Sequence, residues 1–278
     1  MMHSEGKKVY KLLHEMRTTK PLVHNITNVV VANFTANGLL SAGASPVMAN
    51  AKEEAADMAS AADALVLNIG TLNPMQVESM LLAGAAANKK GIPVVLDPVG
   101  AGATAYRTDT ARQLLKEIDI SLIRGNAGEI SAVAGLESNT RGVDSGSSQV
   151  TTAETAERAY QVLKLPVVVT GAVDAVTDGN DMYRVHNGHS MMTRVTGSGC
   201  LLSSLIGSFL AITDDTAYGA AAALGYYGIA AEKAGGFASM RGPGTFQAEL
   251  LNALYHVGDM DIRQQLTLKK EALKGTYE

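Results

Sequence analysis

Short runs of uninterrupted apolar residues alternate along the chain with segments in which apolar residues recur at helical spacing. Four of these runs end in polar residues or glycine and predict buried β-strands at residues 64–68, 93–97, 120–123 and 166–170. Strands without alternation, separated by helices, are typical of a parallel sheet covered on both faces. We therefore expect an α/β fold with a central, mostly parallel sheet and helices on both faces.

Capping residues predict where several of the helices begin and end. Asn73, followed by proline, is a typical helix start, and Thr108 is a candidate cap for the helix after the second strand. Gly135 is expected to end a helix that begins near residue 126. Thr151 and Glu154 stand in the spacing of a capping box.

The pattern changes in the second half of the chain. Residues 172–177 and 182–186 flank Asp178-Gly179-Asn180, which predicts an antiparallel hairpin. From residue 199 to about 256 the pattern is mostly helical, and residues 138–150, rich in Ser and Gly, predict a surface loop. Because no repeat and no convincing linker is present, we predict one domain over residues 1–278.

Composition narrows the class of protein. Of 278 residues, 46% are hydrophobic and 18% charged, which suffices for a large core. The net charge of −4, without a Lys/Arg cluster, argues against a nucleic-acid surface. The longest apolar stretch, residues 201–212, is too short to span a bilayer, and the N-terminus lacks the apolar core of a signal peptide. The single cysteine, Cys200, excludes an intramolecular disulfide and suits a reducing compartment, so we predict a soluble, cytoplasmic protein.

Polar residues and glycines follow every predicted strand. Any one of them could simply begin a loop. In open parallel sheets, however, ligands bind beyond the carboxyl ends of the strands, so their joint occurrence favours a shared site. The residues are Asn68, Gly70, Asp97, Arg124, Asn126, Thr170 and Gly171.

Asn126 and Glu129 lie one helical turn apart at a helix start, and two interpretations are open. They can form a capping box with no further role. Alternatively, Glu129 and Asp97 provide a hard oxygen environment for Mg²⁺ through waters, while Arg124 meets phosphate oxygens with its fork of donors.

The segment Gly197-Ser198-Gly199-Cys200 opens an apolar helix and is a candidate anion site. Free N–H groups and the positive end of the helix dipole favour negative charge there, and glycine lets a ligand approach the main chain. We expect the same dipole to favour the thiolate of Cys200 over its thiol. The alternative is that Cys200 packs as a small apolar residue.

These motifs together resemble the ribokinase-like superfamily of ATP-dependent kinases and, within it, the hydroxyethylthiazole kinase family. The resemblance rests on six segments in order: HNITN at 24–28, SPVM at 45–48, NIGTL at 68–72, DPVGAG at 97–102, RGNAGE at 124–129 and TGSGC at 196–200. GPGTF at 242–246 extends the similarity towards the C-terminus. The resemblance implies a three-layer ribokinase-like fold.

The resemblance further implies that ATP phosphorylates the hydroxyl of 4-methyl-5-(2-hydroxyethyl)thiazole, in thiamine biosynthesis or salvage. It assigns ATP to Arg124, Thr170 and Asn126, and Mg²⁺ to Asp97 and Glu129. It also implies that Met48 and Gly197 contact the thiazole, with Asn25 and Thr27 nearby. The amides of Gly197, Ser198 and Gly199 would hold the moving phosphoryl group, and Cys200 would accept the proton of the alcohol.

The family also implies a homotrimer with the substrate site at a subunit interface. Consistent with this, no β-lid is recognisable before the first sheet strands. Cys200 stands where the wider superfamily usually has a catalytic aspartate, as is usual in the thiazole kinases.

Other functions remain open at this point. The nearest is a kinase for another vitamin-precursor alcohol, hydroxymethylpyrimidine or pyridoxal. A Rossmann-type dehydrogenase is disfavoured because no Gly-x-Gly-x-x-Gly follows the first strand. A non-catalytic binding or regulatory protein that has kept the pocket is the third possibility.

Overall fold

The computed structural model describes residues 2–136, 150–239 and 241–273, with side chains from residue 4 onward. Its first half contains α1 (Met2–Thr19), β1 (Leu22–Ile26), α2 (Ala32–Ala42), β2 (Ser45–Val47), α3 (Lys52–Ala61), β3 (Ala64–Asn68), α4 (Pro74–Lys90), β4 (Val94–Asp97), α5 (Ala105–Glu117), β5 (Leu122–Asn126) and α6 (Ala127–Ala134). The rest contains α7 (Thr152–Leu163), β6 (Val167–Thr170), β7 (Asp174–Thr177), β8 (Asp181–Val185), a 3-10 helix (Ser190–Arg194), α8 (Ser198–Leu210), α9 (Thr216–Ala238), α10 (Pro243–His256), α11 (Asp259–Gln265) and β9 (Leu268–Ala272).

The nine strands within the described ranges form one sheet in the order β2-β1-β3-β4-β5-β6-β7-β8-β9. The six strands β1 to β6 run parallel, and β7, β8 and β9 add an antiparallel edge. The expected mostly parallel sheet is confirmed.

Two hydrophobic cores, one on each face of the sheet, produce three layers. Neighbouring strand residues face opposite cores: Val66 and Val95 pack with α1, α2, α8, α9 and α10, whereas Leu65 and Leu96 pack with α3 to α7. Since successive side chains of a strand point to opposite faces, a strand buried on both sides must be apolar throughout. The predicted three-layer α/β architecture is confirmed.

Most of the predicted helix boundaries agree with the structure. Asn73 caps α4, Gly135 ends α6 in the left-handed conformation, and Thr151 forms its capping box with Glu154. The predicted cap at Thr108 is wrong. Thr104 caps α5 instead, because its backbone is extended and its hydroxyl accepts the Arg107 N–H.

The predicted hairpin is confirmed as β7 and β8, and the helical stretch from residue 199 to 256 as α8, α9 and α10. Strands β1, β2 and β9 were not predicted. The sequence of β9, Leu-Lys-Lys-Glu-Ala, has no apolar alternation because it forms an exposed edge. Residues 137–149, most of the predicted Ser/Gly loop, lie outside the described residues. Among the helices that are described, none has the length and apolarity needed to cross a membrane.

Candidate active site

The carboxyl ends of the parallel strands converge on the start of α8. Asn68 at the end of β3 is in register with Asp97 at the end of β4, and Asn126 at the end of β5 with Thr170 at the end of β6. Parallel strands bring these residues to one edge of the sheet, as the sequence predicted.

Asp97 is the centre of a buried polar network. Its Oδ2 accepts hydrogen bonds from Asn68 Nδ2 at 2.7 Å and from Ser203 Oγ at 2.8 Å. Among the described residues, its Oδ1 has no hydrogen-bond partner, and it lies 3.9 Å from Arg124 Nη1. Burial raises the pKa of Asp97 to about 6, while the Arg124 charge and the Ser203 hydrogen bond oppose that rise. The network therefore holds an ionised carboxylate at neutral pH with one oxygen left free.

Arg124 spans the space between Asp97 and the α8 terminus. Its Nη2 donates to Thr170 Oγ1 at 3.0 Å. A Cβ built on Gly199 would lie 2.8 Å from Arg124 Nη1, so only glycine leaves room for the guanidinium there. Arg124 and Thr170, two predicted ATP ligands, are thus in direct contact.

The start of α8 presents main-chain donors that no side chain of the described part of the chain caps. Its N-cap, Gly197, has φ +86°, and a Cβ there would lie 2.8 Å from Val31 Cγ1. Two hydrogen bonds fix the position of Ser198 in this turn: Ser198 Oγ donates to Met192 O, and Tyr227 Oη donates to Ser198 O. Uncapped N–H groups at a helix start attract anions. The start of α8 therefore presents main-chain N–H groups that an anion could bind.

Cys200 has the opposite pKa shift to the one predicted. Burial, followed by the negative charge of Asp97, raises the pKa of the thiol to about 11. Three smaller effects lower the pKa: hydrogen bonds from Asn68 and Asn28 and the positive charge of Arg124. The Asn28 Nδ2 atom lies 3.4 Å from Cys200 Sγ. The expected thiolate is wrong, because loss of hydration and a neighbouring carboxylate outweigh the favourable contacts. Cys200 is a neutral thiol in this site.

Asn126 and Glu129 form the capping box that the sequence left as one of two possibilities. Asn126 Oδ1 accepts the Glu129 N–H, and Glu129 Oε2 accepts the Asn126 N–H. Glu129 Oε1 accepts a further hydrogen bond from Gly100 N at 2.9 Å. The negative charge of Glu129 is also among the causes that raise the pKa of Asp97, so the two carboxylates sense each other.

A cavity of about 620 Å³ opens beside this network. Arg124, Thr170, Ser198 and Gly199 line one wall, and the segment from His186 to Thr193 lines another. Its size suits a small-molecule ligand, and its walls bring cationic and N–H donors together. Asn126 does not line it.

The residues predicted to bind thiazole lie on the β1–β2 side of the α8 terminus. Met48 follows β2 directly and is half-buried, and His24 Nε2 donates to Ala49 O at 2.6 Å beside it. Asn25 is buried with both polar groups used: Nδ2 donates to Val23 O and Oδ1 accepts from Ser204. Thr27 is buried as well. Asn25 and Thr27 are therefore buried parts of this side, and Asn25 is tied to α8 through Ser204.

Several polar residues of the site were not predicted as site residues. Ser203 donates a hydrogen bond to Asp97, and Asn28 donates one to Cys200. Asp174 lines the cavity, and its Oδ1 accepts a hydrogen bond from Gly171 N. Burial raises the pKa of Asp174 to about 6. Ser203 lies three residues after Cys200, so helical spacing could have placed it on the same face.

Among the described residues, no group of three or more His, Cys, Asp and Glu side chains is arranged to hold a metal ion by itself. Asp97 and Glu129 are two oxygen donors. Mg²⁺ typically takes one or two carboxylates, several waters and substrate phosphates, so a two-carboxylate set suits it. The unpartnered Oδ1 of Asp97 fits such a role.

A family model described as "Hydroxyethylthiazole kinase family" matches residues 13–259. A solved hydroxyethylthiazole kinase protein from Pyrococcus horikoshii OT3 is 42% identical, with 95% of this chain and 99% of that chain covered and a TM-score of 0.87. An ADP complex of Bacillus subtilis pyridoxal kinase is 18% identical, covering 77% of this chain and 92% of that one, at a TM-score of 0.56. Pyridoxal kinase from Staphylococcus aureus in complex with AMP-PCP and pyridoxal is 12% identical. The match covers 91% of this chain and 99% of that one, at a TM-score of 0.59. The last two share the fold alone.

Proposed function

This chain belongs to the hydroxyethylthiazole kinase family and is a ribokinase-like kinase, and we propose that its site transfers a phosphoryl group from Mg²⁺-ATP to the hydroxyl of 4-methyl-5-(2-hydroxyethyl)thiazole. The reaction places the chain in thiamine biosynthesis or salvage. Its two substrates meet where the carboxyl edge of the sheet faces the start of α8.

The observation that carries the proposal is the approach of Arg124 to Gly199. A guanidinium and a row of uncapped N–H groups converge on one wall of the cavity, next to the buried carboxylate of Asp97. Phosphoryl transfer depends mainly on positioning and on stabilising charge at the phosphoryl oxygens. Arg124 and Thr170 would bind the ATP phosphates, and the amides from Gly197 to Gly199 the transferring group.

Asp97 and Glu129 would hold Mg²⁺, through waters and phosphate oxygens. The bound ion neutralises developing charge on the phosphates. Asp97 brings a free, buried oxygen to this role, and Glu129 keeps one lone pair on each oxygen beyond its bonds to Asn126 and Gly100. The exposed side chain of Asn126 keeps its amide NH₂ group for the nucleotide.

The thiazole alcohol would lie on the Met48 side of Gly197, above Asn25 and Thr27. Cys200 would contact the alcohol oxygen as a neutral thiol that orients it. In a loose transition state the alcohol transfers its proton late, to an oxygen of the transferred phosphoryl group, so a thiolate is not needed beforehand. Cys200 would therefore orient the reacting alcohol without accepting its proton.

Assembly as a homotrimer would cover the thiazole side. Val29, Val30 and Leu40 are exposed large hydrophobic residues in the segment that leads from β1 through α2, and this segment also supplies Val31 against Gly197. Contiguous exposed apolar residues mark interaction surfaces. Light scattering is expected to give three times the chain mass of 29.0 kDa. We further propose one kinase domain over residues 1–278 and a cytoplasmic location, which a single free thiol suits.

The direct test incubates the protein with Mg²⁺-ATP and the thiazole alcohol and detects the phosphorylated alcohol by mass spectrometry. Hydroxymethylpyrimidine and pyridoxal are assayed in parallel. We expect the thiazole alcohol to give the highest kcat/KM. Faster phosphorylation of either other alcohol would assign the site to that substrate, and binding without product would indicate a non-catalytic protein.

A further inference from the structure

One arginine outside the substrate and metal set joins the two loops that carry the carboxylate network. Arg107 lies in the first turn of α5, and its Nη1 donates to Ile69 O at 2.9 Å and to Val99 O at 2.8 Å. Its Nη2 donates to Gly70 O at 2.7 Å. Three main-chain carbonyls from the β3–α4 and β4–α5 loops thus converge on a single guanidinium.

Each of these carbonyls is next to a residue of the site. Ile69 and Gly70 follow Asn68, whose amide binds Asp97, and Gly70 N donates back to Asn68 Oδ1. Tightening this loop therefore fixes the donor that holds Asp97 Oδ2. The free Oδ1 of Asp97 is oriented as a result.

Val99 precedes Gly100, whose N–H binds Glu129 Oε1. Gly100 has φ +76°, and a Cβ there would lie 3.0 Å from Arg107 Cδ, so the arginine stem packs directly over this turn. Arg107 therefore controls the orientation of the second carboxylate through the Gly100 amide.

We infer that Arg107 is a positioning residue for both carboxylates of the proposed Mg²⁺ site, acting through Asn68 and Gly100 without touching substrate. This inference rests on the proposed function. A planar guanidinium meets three carbonyls at fixed angles, which a lysine ammonium on a flexible stem does not reproduce. What Arg107 supplies is a fixed set of N–H donors to these carbonyls, rather than its charge alone.

The same helix offers a matched control. Arg112 also donates to two main-chain carbonyls, Val133 O from Nε at 3.1 Å and Ala132 O from Nη2 at 2.9 Å. These carbonyls lie at the far end of α6, away from Glu129 at its start. Arg112→Lys thus removes a comparable clamp without disturbing the carboxylates.

The experiment compares Arg107→Lys with Arg112→Lys and wild type by two measurements. Amide hydrogen exchange of residues 68–72 and 97–103, in protein free of metal and nucleotide, is expected to accelerate only in Arg107→Lys. The Mg²⁺ concentration for half-maximal rate is expected to rise about tenfold in that variant, because residues that orient metal ligands typically change affinity by about 10- to 100-fold. The KM for the thiazole alcohol stays unchanged.

Equal exchange and equal Mg²⁺ dependence in the two lysine variants would overturn the inference. Arg107→Gln, which can still bind one carbonyl, replaces the lysine variant if that one fails to fold. Failure of both, with Arg112→Lys folded, would make Arg107 a general stability residue and also overturn the inference. Absence of phosphorylated product from wild type would instead refute the proposed function, while hydrogen exchange still tests whether Arg107 holds the loops.

Discussion

Replacing Asp97 by asparagine is expected to make the folded protein more stable at pH 8 while removing its activity. The carboxyl is fully buried, and its pKa is raised from its ordinary 3.8 to about 6. A raised pKa means that the fold prefers the protonated form. The stability from this group is therefore fully present below pH 3.8 and lost as the pH rises through about 6.

The magnitude follows from the size of that shift. About two pKa units correspond to about 3 kcal/mol of stability missing at pH 8. The attraction of Arg124 is already contained in this value, because it is one of the causes that lower the pKa. Asparagine keeps an acceptor for Asn68 and Ser203 but adds a buried amide N–H where Oδ1 has no hydrogen bond, which costs about 1 kcal/mol. A net gain of about 2 kcal/mol remains.

Urea unfolding midpoints of the wild type and Asp97→Asn at pH 8 and pH 5 test this reasoning. Metal is removed with a chelator and the protein concentration is fixed, since ligands and assembly stabilise the folded state. The advantage of the variant should shrink by about 1.5 kcal/mol at pH 5, where the wild-type carboxyl is mostly protonated in the folded state. The rate of phosphorylation should fall at least about 100-fold.

Asp109→Asn, an exposed change on α5, is the control and should give the same difference from wild type at both pH values. A variant less stable than wild type at pH 8, or an advantage that does not depend on pH, would refute the argument. Either result would mean that hydrogen bonding to the charged form, rather than desolvation, dominates at Asp97.

Three further changes test other parts of the site. Gly199→Ala should displace the Arg124 guanidinium and raise the KM for ATP about tenfold, as expected for a lost charge-assisted hydrogen bond. Gly236→Ala is the control: a Cβ at Gly236 meets open space, so the KM for ATP should stay unchanged. Cys200→Ala should lower kcat while the thiazole alcohol still binds. Because the pKa of the thiol is about 11, the wild-type rate should show no titration of the thiol between pH 7 and 9. A titration in that range would show that the thiolate acts as the base. Glu129→Ala should sharply lower turnover with the circular dichroism spectrum retained, and wild-type turnover would remove Glu129 from the mechanism.

Local sequence patterns were sufficient for most of the fold. Uninterrupted apolar runs identified the central strands, because a strand covered on both faces has no polar side. Caps such as Asn73 and Thr151 marked helix starts, because the side chain and the N–H that it satisfies are close neighbours in sequence. Strand β9 was missed because an exposed edge strand imposes no apolar pattern on its residues.

Prediction of the site was less complete. Arg124, Thr170 and the Gly197–Gly199 turn lie together as expected, since strand ends of a parallel sheet share one edge. The link from Ser203 to Asp97 spans 106 residues, and those from Arg107 reach Ile69 and Gly70 across 38 and 37 residues. No local pattern encodes such partners.

The sequence by itself determined strands β3 to β6, the β7–β8 hairpin, the helix boundaries at Asn73, Gly135 and Thr151, the family, and the group of polar residues that meet at one edge of the sheet. Only the tertiary structure decided the protonation of these groups. The dipole argument for Cys200 used information from its own helix, whereas the burial of its thiol and the charge of Asp97 come from distant segments packed around it. Ionisation depends on the whole surroundings of a group, and those surroundings exist only once the chain has folded.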